Sequence, residues 1–411
     1  MSRTNLKSPF NSIVIVAALG YFVDIYDLIL FGIVRVPSLK AIGVPQEQLL
    51  DTGIYLLNMQ MVGMLLGGIF WGILGDKKGR LSTLFGTIIL YSLANIANGF
   101  VQTVPQYALM RFIAGVGLAG ELGVGITLVS EVMAKESRGY GTMMVSGIGI
   151  AGAAFGFLVA DSFNWQVAYW VGGGMGLVLL VLRFIVSESG MFQKIHKENI
   201  SKGNFFMLFN SRKRFLKYLY CILIGVPVWF VIGILVIFSP EFAKKVFHIP
   251  EVIDGGRALM YHYIGASIGS FLTGYLSQHF RSRRKALAIS MITLTFFIGV
   301  YFFSSGISET LFHILLFLLG IAQGYWAVFI TTASELFGTN LRATATTTIP
   351  NFVRCSTVLM TLLFKYLKSD DVIGMLNAGI VVAIIVMTLA LWALYKMEES
   401  YHKDLDYIEV K

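Results

Sequence analysis

Apolar segments of about 20 residues recur along the whole chain, and they constrain the fold more than any other feature of the sequence. Twelve are present, spans 1–12, at about 11–37, 52–74, 81–101, 106–133, 139–161, 165–187, 215–238, 256–279, 285–304, 309–335, 341–367 and 371–396. A helix that crosses a bilayer needs about 20 mostly apolar residues. Of the 411 residues, 56% are hydrophobic and 13% charged, whereas soluble domains average about 25% charged. The sequence predicts an all-α integral membrane protein with twelve transmembrane helices.

The net charge of +9 indicates membrane topology rather than nucleic-acid binding. If both termini are cytoplasmic, about 22 of the 32 Lys and Arg residues fall in cytoplasmic loops and about seven on the other side. Such a bias sets the orientation of multi-pass proteins. We therefore expect a monomeric, multi-pass protein of a bacterial-type inner (plasma) membrane. The two cysteines lie inside predicted spans and the six histidines show no ligand spacing, so no metal or other cofactor is predicted.

The longest polar connection, residues 188–214, divides six spans from six. This predicts an N-terminal six-helix bundle (1–187), a cytoplasmic linker (188–214), a C-terminal six-helix bundle (215–396) and a cytoplasmic tail (397–411). Within the linker, FFMLF is expected to form a short amphipathic surface helix. The halves resemble each other: SEVMAKESRG follows span 4 and SELFGTNLRA follows span 10, both with Glu and Arg seven positions apart. Internal repeats of this kind are typical of transporters whose bundles rock around a central site.

A second motif, GGIFWGILGDKKGR at 67–80, joins spans 2 and 3. Its glycines allow close helix packing, so that Asp76 can reach a neighbouring helix end. The corresponding loop of the second half, GYLSQHFRSRRKA, keeps the glycine and the basic cluster but has no acid in register.

These motifs, together with R-x-x-x-G-x-G in RFIAGVGLAG, resemble the signature set of the major facilitator superfamily over the full chain. The resemblance implies two six-helix bundles that work by alternating access. It also implies that six residues form cytoplasmic contacts that stabilise the outward-open state and so act in gating: Asp76, Arg80, Glu131, Arg138, Glu335 and Arg342. Because one loop lacks the acid, we expect this latch to be asymmetric.

Charged side chains inside the spans are rare, and each costs at least about 2.5–3.5 kcal/mol at the bilayer centre. Asp24 and Asp27 in span 1 share a helix face, and Arg111 and Glu121 in span 4 are close to three turns apart. Proton-coupled members of the sugar-porter branch have an acid and an arginine at positions matching Asp27 and Arg111. Because Arg keeps its proton whereas a buried carboxylate can titrate, Asp27 with Arg111 is predicted to carry a coupling proton, assisted by Asp24 and Glu121. The alternative is a static ion pair that fixes helix packing.

The span-1 sequence DIYDL resembles the D-G-[FY]-D motif of aromatic-acid:proton symporters, with Ile25 in place of the glycine. The span-4 sequence LAGELG is closer to the GGEWG motif of metabolite:proton symporters. The resemblance therefore extends to organic-acid and metabolite:proton symporters without a clean match to one branch.

Arg354 in span 11 carries the prediction of substrate class. No acid lies near it in that span, and an unpaired arginine facing a cavity is a ready partner for a carboxylate. The alternative is that it hydrogen-bonds helix carbonyls freed by Pro350, or snorkels. Aromatic and amide residues complete the predicted pocket, although each is equally explained by helix packing: Tyr21, Tyr26, Asn58, Gln60, Trp229, Gln323, Tyr325, Trp326 and Asn351.

Together these features predict a secondary active transporter that imports a small carboxylate or zwitterion with protons across the bilayer. The alternative within the same fold is a proton-driven exporter of amphipathic or cationic compounds, in which the acids would hold the positive charge. A receptor that binds without transport also remains open. A membrane enzyme is disfavoured, because the loops are short and contain no Gly-rich phosphate loop, HExxH or nucleophile elbow.

Overall fold

The structure is a computed structural model that describes residues 12–134, 137–182, 203–368, 373–401 and 403–409. Through these ranges the chain forms helices and no β-strand, and the predicted all-α membrane fold is confirmed. Ten helices in the described part are long and apolar enough to cross a membrane. The other two predicted spans are also long helices, Gly255–His279 and Arg342–Leu367, but they are richer in Gly, Ser and Thr.

The helix bounds follow the predicted spans closely. They are Ser12–Ala41 (span 1), Leu49–Lys78 (2), Arg80–Asn98 (3), Val104–Leu118 with Glu121–Val132 (4), Arg138–Ile150 with Gly152–Ser162 (5), Trp165–Leu182 (6), Arg212–Phe230 with the π-helical Val231–Val236 (7), Gly255–His279 (8), Arg283–Phe302 (9), Glu309–Gln323 with Trp326–Leu336 (10), Arg342–Leu367 (11) and Gly374–Lys396 (12). A short helix, Ser239–Lys245, follows span 7.

The two halves pack in the same pattern. Spans 2 and 4, 1 and 5, and 3 and 6 pair in the first bundle, and spans 8 and 10, 7 and 11, and 9 and 12 pair in the second. Between the bundles, span 2 packs on span 11 and span 8 packs on span 5. Each half therefore supplies the same two surfaces to the interface that encloses the centre of the molecule.

Glycine allows the closest helix pairs in both halves. A Cβ on Gly63 of span 2 would lie 2.2 Å from the carbonyl oxygen of Phe112 in span 4. A Cβ on Gly265 of span 8 would lie 2.1 Å from the carbonyl oxygen of Phe317 in span 10. Only a residue without a side chain permits this backbone approach.

Most of the predicted linker, residues 188–202, lies outside the described residues, as do 1–11, 183–187, 402, 410 and 411. The described part of FFMLF is a 3₁₀ turn, Phe205–Leu208, with Met207 and Leu208 buried. The prediction of an amphipathic surface helix is therefore wrong, because Met207 and Leu208 pack inward.

The bundle has two ends. We call the end formed by residues 133–134 and 137, by the connections 280–282 and 337–341, and by residues 397–401 and 403–409 the tail face. The opposite end, formed by the connections 42–48, 99–103, 163–164, 237–254 and 303–308, is the far face.

Candidate functional site

A small cavity lies between the two bundles at mid-depth. Its lining comes from spans 1, 5, 7, 8, 10 and 11 and consists of Tyr21, Ile25, Ile150, Val228, Trp229, Ile232, Tyr263, Ala266, Gln323, Trp326 and Arg354. The volume open to the centre of a water molecule is about 20 Å³, which is room for about one water. The bundles therefore close tightly around this site.

Arg354, on the cavity wall, forms an ion pair with Asp24 of the opposite bundle. The Nη2 atom of Arg354 lies 4.0 Å from Oδ2 of Asp24, and both side chains are buried. The expectation that Arg354 has no acid nearby is therefore wrong. Span 11 contains no such acid, but the packing of the bundles brings one from span 1.

This ion pair leaves hydrogen-bonding capacity unused. Arg354 donates from Nη1 to Asn351 at 3.2 Å. Among the described residues, its Nε and Nη2 atoms and both carboxylate oxygens of Asp24 have no hydrogen-bond partner. Because buried polar groups are normally hydrogen-bonded, the guanidinium edge of Arg354 on the cavity wall is free to contact a ligand, with Asp24 beside it.

Aromatic rings form the walls around Arg354. The Trp326 ring lies 6.0 Å from the guanidinium carbon, within cation–π range, and Tyr21, Trp229 and Tyr263 supply the other rings. Flat walls with a few polar groups suit a small planar or apolar body with one charged end. The sequence does not single out Tyr263, because an aromatic residue inside a span is equally common in helix packing.

Asn351 lies behind Arg354 rather than on the cavity wall. Its Nδ2 atom donates to the carbonyl oxygens of Ala119 and Thr347, each at 2.7 Å, and its Oδ1 atom accepts from Arg354. Ala119 lies in the interruption between the two halves of span 4. One side-chain amide therefore connects the cavity arginine to the opposite bundle.

Arg111 is held inside the N-terminal bundle by neutral groups. Its Nε and Nη2 atoms donate to Asn98 at 3.2 Å and to Asn95 at 2.8 Å, and its guanidinium carbon lies 4.9 Å from the Tyr169 ring centre. Asp27 is close enough to interact electrostatically with Arg111, but the two form no ion pair within 4.0 Å. The predicted partners are thus neighbours without a direct bond.

Glu121 starts the second half of span 4. It interacts electrostatically with Asp24, whereas Arg111 does so with Asp27. The interruption of span 4 lies between Glu121 and Arg111. Asp24 and Asp27 also interact with each other, so the four intramembrane charges of the N-terminal bundle form one connected set, in which Asp24 is the member next to Arg354.

The remaining residues of the predicted pocket lie outside the cavity lining. Tyr26, Tyr325 and the side-chain amide of Gln60 donate to backbone carbonyls of neighbouring spans. Asn58 accepts from a threonine of span 11. These contacts hold helices together, so of the predicted pocket residues only Tyr21, Trp229, Gln323 and Trp326 line the cavity with Arg354.

The predicted gating residues meet at the tail face. Arg342 and Glu131 form a buried ion pair at 3.1 Å between the bundles, and Arg138 and Glu335 form a second at 3.8 Å. The Nε atoms of both arginines donate at 3.1 Å to a serine carbonyl eight residues earlier. The repeat seen in the sequence is therefore also a repeat in geometry. We call these four residues, with Asp76 and Arg283, the tail gate.

The tail gate differs between the halves. Asp76 accepts from the backbone N–H groups of Ala343 and Thr344 at 3.2 and 2.8 Å, so a carboxylate sits at the start of span 11, where a negative charge is favoured. In the other half, Arg283 instead donates to both oxygens of Glu335 at 2.9 and 3.2 Å. The side chain of Arg80, the remaining predicted gating residue, is outside the described part.

The tail packs onto the gate. The carbonyl oxygen of Leu405 accepts from Arg342 at 2.5 Å, and Ser400 donates to Glu335 at 2.8 Å. Glu399 accepts from the hydroxyl of Ser282 and from the first N–H groups of span 9. Burial alone raises the pKa of Glu399, but these hydrogen bonds outweigh it and hold the pKa below its ordinary value.

Two six-span bundles that close from both ends around a charged cavity define a membrane transporter rather than an enzyme. Residues 17–359 match the family described as the Major Facilitator Superfamily, and the chain belongs to this family.

Relatives and a solved structure agree with this assignment. The chain is 26% identical over 343 residues to a probable 4-methylmuconolactone transporter of Cupriavidus pinatubonensis, covering 79% of this chain and 76% of that one. It is 25% identical over 384 residues to the benzoate transport protein of Acinetobacter baylyi, covering 82% and 79%. The crystallised proton:xylose symporter XylE shares the fold, with a TM-score of 0.76, 16% identity and coverage of 96% and 97%.

Proposed function

We propose that this protein imports a small organic carboxylate together with protons, with the tail face in the cytoplasm of a bacterial-type inner membrane. The observation that carries the proposal is the pair of Arg354 and Asp24, 4.0 Å apart between aromatic walls. The orientation rests on the excess of basic residues in the loops of the tail face.

The pair links solute binding to proton binding. A buried arginine requires one negative partner, because an uncompensated charge in the membrane interior is costly. While Asp24 is ionised, it fills that role. When Asp24 takes up a proton, Arg354 loses its partner and a solute carboxylate can replace it. The solute and one proton are then bound together, and the charge within the cavity stays balanced.

Asp27 supplies a second protonation site in this proposal. Its carboxylate has no hydrogen-bond partner among the described residues, and Arg111 lies close by. A small shift of span 1 against span 4 would change that distance and with it the proton affinity of Asp27. Glu121 adds negative charge close to Asp24.

The relatives support the substrate class. Benzoate is an aromatic ring with one carboxylate, and a relative carries that compound in its name. Because the closed cavity has room for about one water, the ring of such a molecule would enter between Trp326 and Tyr21 only when the bundles separate, with its carboxylate on Arg354. The tail gate, in turn, would stabilise the outward-open state, as the family resemblance implies.

Proton flux in proteoliposomes with an internal pH dye tests the proposal. The panel consists of aromatic and aliphatic monocarboxylates, zwitterions, sugars and organic cations. We expect a monocarboxylate to acidify the lumen, Arg354→Ala to abolish the signal and Arg354→Lys to reduce it, because Lys lacks the bidentate fork. Asp24→Asn should keep solute exchange but remove its dependence on pH.

A matched control is Arg257→Ala, which removes an arginine from an exposed far-face ion pair and should leave flux unchanged. If only organic cations move protons, and in the opposite direction, the protein is an exporter and the role given to Arg354 is wrong.

A further inference from the structure

Among the residues that the structure describes, one largely buried ion pair joins the two bundles near the far face. Nη2 of Arg35, near the end of span 1, lies 3.0 Å from Oε1 of Glu241, in the short helix after span 7. Their side chains are 3% and 20% exposed. The guanidinium carbon of Arg35 also lies 5.5 Å from the Phe238 ring centre. Because these residues belong to different bundles, the bond cannot persist if the bundles separate at this end.

Apolar packing lies between this pair and the cavity. A Cβ on Gly256 of span 8 would lie 3.0 Å from Ile33 and 3.1 Å from Phe157. Ile33 is two residues before Arg35, and Ile25, on the cavity wall, is about 15 Å from Arg35 along span 1. A solute that moves between the far face and the cavity must therefore pass both the ion pair and this packing.

Asp51 forms two further far-face ion pairs between the bundles, with Lys365 and Lys368, and these are of a different kind. Lys365 and Asp51 approach to 3.3 Å, but their side chains are 46% and 52% exposed. An exposed pair of this kind contributes little, whereas breaking a buried pair leaves an uncompensated charge. Among the described residues, the cost of opening the far face is concentrated at Arg35 and Glu241.

We propose that Arg35 and Glu241 form a far-face gate that opposes the tail gate, so that a solute reaches Arg354 only after this ion pair opens. Glu241 also lines a wide outer cavity of about 950 Å³, together with Lys244, Lys245 and Lys365. A carboxylate that enters this cavity competes with Glu241 for Arg35. The gate thus belongs to the transport cycle proposed above and adds selectivity for anions at the point of entry.

Cysteine accessibility tests the gate. The background replaces Cys221 and Cys355 with Ser, and Ala266→Cys places one thiol on the cavity wall. A membrane-impermeant maleimide is then applied to vesicles of both orientations. We expect Glu241→Gln to raise the labelling rate from the far face at least tenfold and to lower the rate from the tail face. The exchanged pair, Arg35→Glu with Glu241→Arg, should restore both rates to within about threefold.

Asp51→Asn is the matched control, because it removes an acid from the exposed pair, and it should change labelling less than twofold. The proposal is overturned if Glu241→Gln labels like the unmodified protein, or if Asp51→Asn has the larger effect. Labelling needs no solute, so the result does not depend on whether the solute is a carboxylate.

A cross-link covers the case in which the charge variants fail to fold. Ile33→Cys with Gly256→Cys places two thiols across the apolar packing. Oxidation should stop labelling of the cavity thiol from the far face, and reductant should restore it. Labelling that continues after complete cross-linking would show that solute does not enter past Arg35.

Discussion

The tail gate allows the size of a conformational shift to be estimated for Glu131→Gln. Glu131 and Arg342 are 3.1 Å apart with fully buried side chains. Glutamine keeps an acceptor oxygen but removes the charge, so the tail-closed state loses about 1.5–3 kcal/mol, the range for a hydrogen bond between charged groups. At about 1.4 kcal/mol per factor of ten, the open fraction at the tail face should rise about 10- to 150-fold.

The assay is the rate at which the impermeant maleimide labels Ala266→Cys from the tail face. When labelling is slow compared with opening and closing, this rate is proportional to the fraction of molecules that are open at that face. The control is Glu398→Gln, which removes an acid from the same face but from an exposed pair with Lys403 and should change the rate less than twofold. The reasoning is refuted if the two variants label alike, or if Glu131→Gln opens the far face instead.

Three further predictions follow from single contacts. Asn351→Ala removes a hydrogen-bond partner of Arg354. Because a hydrogen bond to a charged group contributes about 1.5 kcal/mol, this variant should weaken carboxylate binding about tenfold in an equilibrium binding assay. Asn58→Ala, outside the cavity, should change the affinity less than twofold. Leu405→Cys, at a site 2% exposed, should label slowly at pH 7 and several-fold faster with Glu399→Gln. Because the pKa of Glu399 is depressed in the folded protein, its contribution to stability is present above the ordinary pKa of about 4.3 and is lost as the pH falls through the lower pKa of the folded state. Labelling should therefore be constant from pH 8 to 5 and rise only in more acidic solution; a rise at pH 6 would contradict the assignment. Gly63→Ala places a Cβ 2.2 Å from a carbonyl oxygen and should lower thermal stability by about 1–3 kcal/mol, whereas Gly125→Ala, with nothing within 4 Å, should preserve or raise it.

The fold was predictable because its signal is local. Each span is an apolar run of bilayer length, and the repeated Ser-Glu and Arg positions stand at equivalent helix ends, where Ser130 and Ser334 touch at 3.2 Å. The site was predictable only in part. Aspartates inside an apolar span are conspicuous in the sequence, but the approach of Asp24 to Arg354 depends on how the two bundles pack together. Arg35 and Glu241 lie at helix ends, where charged residues are common, so their positions in the sequence do not indicate a functional role.

The repeat explains why the cavity holds one such ion pair and not two. The offset of 204 residues between the two tail-gate serines maps Arg354 of span 11 onto Ile150 of span 5. Ile150 also lines the cavity, so the first half has an apolar residue where the second half has the arginine.

At the tail gate, by contrast, the glutamate and the arginine are present in both halves. A gate closes more firmly with every added bond, so repetition is useful there. In the proposed cycle a solute replaces one carboxylate, Asp24, so a single arginine is enough. A second buried pair would cost at least about 2.5–3.5 kcal/mol per charge. It would also offer the solute two competing positions. In the proposed cycle, the presence of this arginine in one half only therefore makes the choice between Asp24 and a solute carboxylate a single exchange.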